Sequence, residues 1–236
     1  METKERVNIH QVLWYFTIFS VIGLIIETIY CFITTGVLES RKGLIWGPFC
    51  PVYGVGATFL IILLNKFKNN KIKLFIYGGI IGDTIEYIMS YVLESIYSTR
   101  FWDYSYTQFH LNGRICLVYT IFWAVLSVVL ILYVKPLIDK CINSINFKYR
   151  GIVEKTLIIF LTLDVISTIW AISSYKKRAI NIYYKNEIKN DNTIFYKIEE
   201  NIFSNEKMVK TFPNIRFLNE KKRRNMDKRY NLKTKI

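Results

Sequence analysis

Five long apolar blocks, at about residues 12–33, 49–65, 74–95, 115–134 and 156–174, govern what this chain can fold into. A bilayer core of ~30 Å takes roughly 20 mostly apolar residues at the helical rise. Four blocks meet that length and the second falls short. Apolar residues make up 52% of the 236, so the pattern predicts an all-α, polytopic membrane helix bundle with about five transmembrane helices. The bundle is expected over 1–174, with a basic polar C-terminal tail over 175–236, partly helical or disordered. The first block is too long for a signal h-region and lacks a small-residue cleavage site, so it is expected to stay as the first span. The expected location is the cell membrane, multi-pass.

Carboxylates interrupt three of these blocks. One such group inside a span costs roughly 2.5–3.5 kcal/mol on insertion scales, so it should face the bundle interior and find a partner. In the first block Ser20, Gly23, Glu27 and Thr34 share one helix face. In the third, Gly79, Asp83, Glu86, Ser90 and Glu94 cluster on one face with Tyr87 at its margin. Asp83 and Glu86 repel when both are ionised, which predicts a held proton or a cation between them. In the fifth, Asp164, Ser167, Thr168, Ala171, Tyr175 and Arg178 form a polar stripe that ends in a cation.

Between the first and second blocks runs Arg41-Lys42-Gly43-Leu44-Ile45-Trp46-Gly47-Pro48-Phe49-Cys50-Pro51-Val52-Tyr53-Gly54-Val55-Gly56. Proline removes a donor and fixes φ, and glycine opens φ values closed to other residues, so no single regular helix covers this stretch. It reads either as a tight connector or as a broken segment shaping a polar site. At membrane depth, irregular backbone must be buried in protein or line a wet cavity.

The charge is +14 and unevenly placed. The tail carries 17 Lys and Arg against 7 Asp and Glu, leaving +4 for the rest of the chain. It is expected to meet anionic lipid head groups or solvent. No nucleic-acid-binding module is recognisable. Lys66, Lys68, Lys71 and Lys73 form one short basic loop; Lys135, Lys140, Lys148, Arg150 and Lys155 form another. The positive-inside rule places both in the cytoplasm. Five crossings then put Lys176, Lys177, Arg178 and the tail outside, against the same rule, so the tail's side stays open. Pro136 is expected to end the fourth span. The polybasic run after Asn219 reads as disordered. Four cysteines show no CxxC pair, and with only His10 and His110 available no metal or cofactor site is expected. Cys50 and Cys116 would form a disulfide if their loops meet; two apolar fillers is the favoured reading, and spacing alone leaves the pairing open.

Several of these pieces resemble the signature of the bacterial putative ABC-transporter type IV family. They are Arg41-Lys42-Gly43 with Gly47-Pro48-Phe49-Cys50-Pro51-Val52-Tyr53-Gly54, Glu27, Trp102-Asp103-Tyr104-Ser105, and Asn112-Gly113-Arg114-Ile115-Cys116-Leu117. Asp164 through Ser167 to Arg178, and Phe212-Pro213-Asn214, complete the set. Ala124 follows Trp123 where the family often has Gly. The resemblance implies a small polytopic transport-related membrane protein, an ABC transporter permease of unknown substrate.

The leading functional expectation is therefore a permease moving a substrate through a polar cavity lined by buried acidic residues. Its candidate site comprises Glu27, Arg41, Gly47, Pro48, Cys50, Pro51, Tyr53, Gly54, Asp83, Glu86, Trp102, Asp103, Asn112, Arg114 and Asp164. No GxxxxGK[ST] loop is present, so ATP hydrolysis would need a separate ATP-binding subunit. One alternative is a membrane enzyme acting on a lipid-linked substrate, with Arg100, Asp103, His110 and Arg114 handling a phosphate. Another is a non-transporting membrane scaffold.

Overall fold

The computed structural model describes residues 7–97, 99–145, 147–184 and 199–217. The polybasic run after Asn219 lies outside them. Helix α1 is Ile9–Thr35, α2 Pro51–Leu64, α3 Lys71–Tyr97, α4 Leu117–Val129, α5 Lys135–Asn143, α6 Phe147–Tyr184 and α7 Asn205–Thr211. A 3-10 turn, Asn65–Phe67, closes α2, and a π turn, Leu130–Val134, joins α4 to α5. The strands are two residues each: β1 Thr99–Arg100, β2 His110–Leu111, β3 Ile115–Cys116 and β4 Arg216–Phe217. β1 pairs antiparallel with β4, and β2 with β3.

Local sequence sets the helix ends. Asn8 and Gln11 form a reciprocal capping box at the start of α1, and Gly36 ends it in the left-handed conformation. Pro51 opens α2 at the first-turn position, where a missing N–H costs nothing. Pro136 does not end the fourth block. The ring of a helix-interior proline clashes with the carbonyl four residues back. The π turn widens the helix just before Pro136, and the helix resumes through Asn143.

Among the described residues, three helical stretches are long and apolar enough to cross a membrane: Ile9–Thr35, Leu117–Asn143 and Lys148–Ala179. Pro51–Phe67 is apolar but shorter. α3 has 27 residues, as α1 does, but Asp83, Glu86 and Glu94 interrupt it. About five crossings was the expectation; length and composition alone support these three.

Side-chain contacts define two ends. At one end, here called the N-terminal end, His10 and Trp14 of α1 bond Glu154 of α6, and Tyr15 bonds Asp139 of α5. At the other, the loop end, residues 36–50 and 99–116 meet the upper part of α6 and residues 199–217. The main core joins Tyr15, Phe19, Leu60, Ile61, Leu64, Leu74, Trp123 and Leu130. Small residues bring the helices close. A Cβ on Gly54 would run into Ser20 Oγ, and one on Gly82 would lie 2.5 Å from the Trp123 ring.

Candidate functional site

The connector between α1 and α2 does not stay at the loop end. Cys50 N donates to Ser20 O at 3.0 Å, and Tyr53 packs on Gly23, so α2 begins level with the middle of α1. Trp46 N donates to Asp164 Oδ1 at 2.9 Å and Ile45 N to Thr168 Oγ1 at 2.9 Å, tying the same stretch to the middle of α6. Asp164 is about 15 Å along α6 from Glu154, half of a ~30 Å core. Gly43 N and Leu44 N close the loop on Phe49 O. Leu44 and Phe49 are buried against Leu161, Leu13, Phe16 and Val21. Irregular backbone thus reaches the middle of α1 and α6, with the N–H groups of Gly43, Leu44, Ile45, Trp46 and Cys50 satisfied by protein, the condition for such backbone to lie at membrane depth.

Gly47 has φ 67° and Phe49 packs on its α-carbon, so its place in the loop suits glycine. Pro48 lies at the turn of the loop and is exposed. Arg41 Nη2 donates to Cys31 Sγ at 2.7 Å and lies in the field of Glu27. Cys50 and Cys116 are buried free thiols.

Because α2 is half-length, a polar cluster sits where its missing upper turns would have been. Tyr53 Oη donates to Glu27 Oε2 at 2.5 Å, so the signature tyrosine is the partner of the first-span carboxylate. The Tyr53 ring lies 6.5 Å from that of Trp123. Trp123 Nε1 donates to Glu86 Oε2 at 2.8 Å, and Tyr104 Oη donates to Glu86 Oε1 at 2.7 Å. Thr120 Oγ1 donates to Asp83 Oδ2 at 2.6 Å, while the buried Asp83 Oδ1 has no hydrogen-bond partner among the described residues. Glu86 is within electrostatic reach of Asp83 and Glu27. Burial, and then the adjoining Glu86, push the Tyr104 phenol well above its ordinary value, so it remains a donor.

A second cluster forms the rim. Arg114, 8% exposed, donates to Glu94 Oε2 at 2.6 Å and Ser90 Oγ at 2.9 Å. Arg100 shares Glu94 at 3.1 Å and reaches Asp103 at 3.6 Å. Asp103 accepts from Ser105 N and Oγ. Trp102 Nε1 donates to Arg114 O, and Asn112, at φ 54°, donates to Tyr87 Oη. His110 Nδ1 accepts from Gly113 N. Both arginines are thus engaged with Glu94, and this loop offers no support for a phosphate grip.

The structure therefore brings Glu27, Tyr53, Asp83 and Glu86 together and keeps Arg114, Trp102, Asp103 and Asn112 as a separate rim. Asp164 serves the broken loop. Tyr104, Thr120 and Trp123 complete the central cluster. Tyr104 stands in a motif, but neither Thr120 nor Trp123 carries a charge or a periodicity that would single it out. Among the described residues, no group of three His, Cys, Asp or Glu is placed to hold a metal ion.

No curated protein and no solved structure matches the chain. The family model described as putative ABC-transporter type IV matches residues 14–169. That stretch contains most of α1, all of α2 to α5, the broken loop, the rim and Asp164, and the chain belongs to the putative ABC-transporter type IV family.

Proposed function

We propose that this protein is the membrane-embedded component of a transport system, moving a solute through the polar cluster around Glu27, Tyr53, Asp83 and Glu86. The observation that carries this reading is the start of α2 level with the middle of α1, with Tyr53 on Glu27 and beside Trp123. Broken helices with polar groups at the midplane are how many transporters build their sites. In this reading the chain crosses the cell membrane five times, and residues 36–50 together with α2 make the second crossing. Three carboxylates stand against one nearby guanidinium among the described residues, Arg41, and Tyr53, Tyr104 and Trp123 meet them through their hydroxyl and indole N–H groups. That lining favours a solute with positive charge. The energy source would be a separate ATP-binding subunit, since no phosphate-binding loop occurs in this chain.

The test compares the small-molecule content of cells, and of their medium, with the wild-type protein, Glu86→Gln and Asp83→Asn. At least one cationic solute should redistribute with the wild type and not with the variants at equal membrane abundance. Identical profiles in all three would remove the cluster from any solute path.

A further inference from the structure

Residues 199–217 return to the loop end of the bundle and touch both loops that border the polar cluster. Phe203, 2% exposed, lies with its ring 6.4 Å from that of Trp46 in the broken loop and 5.3 Å from that of Trp170 on α6. Met208, Phe212 and Ile215 are buried with Ala171, Ile172 and Tyr175, and Ile45 and Phe101 pack against the same group. Arg178 fastens the start of the segment, donating to Asn205 Oδ1 and Ser174 Oγ, each at 2.7 Å, and to Phe203 O. The far end is fastened by β4 on β1, with Thr99 opposite Phe217 and Arg100 opposite Arg216. β1 leads straight into Phe101 and Tyr104, and Tyr104 reaches Glu86. One short segment is therefore anchored at one end to the loop that Asp164 holds and at the other to the loop that supplies Tyr104.

We propose that residues 199–217 act as a strap that ties the two loops together over the polar cluster and must lift for the cluster to open. Its contacts suit that task. They are made to loops and to one face of α6 rather than within the four-helix core of α1 to α4, so the strap can leave without dismantling the bundle. The segment is short, and its hold rests on a few buried side chains and one two-residue ladder, which places it at the low-stability end of local opening. The significance of the strap rests on the transport reading, but its motion can be measured without any solute.

Native thiols report the opening. Cys31, Cys50 and Cys116 are buried on the loop-end half, and Cys141 is exposed at the N-terminal end. The full-length protein in detergent is labelled with a membrane-impermeant maleimide, and the rate at each cysteine is read by mass spectrometry. Phe203→Ala with Met208→Ala should raise the rates at Cys50 and Cys116 about tenfold or more, with Cys141 unchanged. Thr99→Cys with Phe217→Cys, oxidised, should lower those rates below wild type, and reductant should restore them. The register places these two α-carbons opposite each other, as a disulfide requires. Unchanged rates at Cys50 and Cys116 in the loosened protein would overturn the strap. If loosening unfolds the chain, a locked protein whose rates match wild type in oxidant and reductant alike overturns it too. A strap that controls labelling while Glu86→Gln leaves solute profiles unchanged keeps the strap and discards the transport reading.

Discussion

Tyr104 and Gly47 show how single residues hold this arrangement. Tyr104 supplies one of the two hydrogen bonds to the buried Glu86. Removing a donor from a buried acceptor costs about 1–3 kcal/mol, so Tyr104→Phe should lower the thermal unfolding temperature in detergent by that equivalent. An unchanged midpoint would contradict the contact. The pH dependence has a definite sign. The folded-state phenol lies above its unfolded value of ~10, so its contribution is complete below that value and is lost as pH rises from there through the higher one. The stability difference between wild type and Tyr104→Phe should therefore be flat from about pH 8 to pH 9, below ordinary phenol ionisation. A decline inside that window would contradict the burial. Gly36 and Gly47 make a matched pair, with φ 71° and 67°. A Cβ at Gly36 meets nothing, whereas one at Gly47 would lie 2.6 Å from the buried Phe49 ring. Alanine at either costs about 1 kcal/mol of backbone strain, and Gly47→Ala should cost about 1–3 kcal/mol more through overpacking. Equal destabilisation of the two would mean that the loop is loosely packed.

At the scale of elements, Asp164 and Thr168 matter because they are buried acceptors for N–H groups of irregular backbone at the middle of α6. An unsatisfied amide in an apolar setting costs several kcal/mol. Asp164→Asn keeps an acceptor for Trp46 N, and Asp164→Ala does not. Hydrogen exchange over residues 43–48 should accelerate about tenfold or more in Asp164→Ala and stay near wild type in Asp164→Asn. Equal exchange in both would show that Asp164 does not hold the loop. The helical period of the sequence is enough to mark the inward faces: Ser20, Gly23, Glu86, Ser90, Glu94, Asp164 and Thr168 are all buried. Thr34 is exposed because α1 outruns α2 at the loop end. Periodicity gives a face and not a partner. The bond from Tyr53 to Glu27 and that from Tyr104 to Glu86 depend on where two loops fold back, which no local pattern encodes. Breakers likewise announce an interruption without its depth, so the Gly/Pro stretch could be read as connector or site until Ser20 and Asp164 located it. Pro136 misled for a similar reason, since the π turn that accommodates it has no signature of its own.

For the whole molecule, the contacts place residues 199–217 at the same end as residues 36–50 and 99–116, opposite both short basic loops. Short loops near span ends govern orientation more than long tails do. The N-terminal end is therefore predicted to be cytoplasmic and the loop end, with its strap, extracytoplasmic. On intact cells an impermeant thiol reagent should label Tyr106→Cys, whose parent side chain is 83% exposed, and should leave the exposed Cys141 unlabelled until the cells are broken. The reverse pattern would put the strap in the cytoplasm.

The broken loop at the midplane is the claim on which the polar cluster, the strap and the transport reading all depend. Trp46 is half-exposed and sits on it, bonded through its backbone to Asp164. In bilayers of lipids brominated at defined acyl positions, the fluorescence lost on Trp46→Phe should be quenched most by bromines near mid-chain. Strongest quenching by bromines next to the head groups would return the loop to the membrane surface and leave α2 without its mid-depth start.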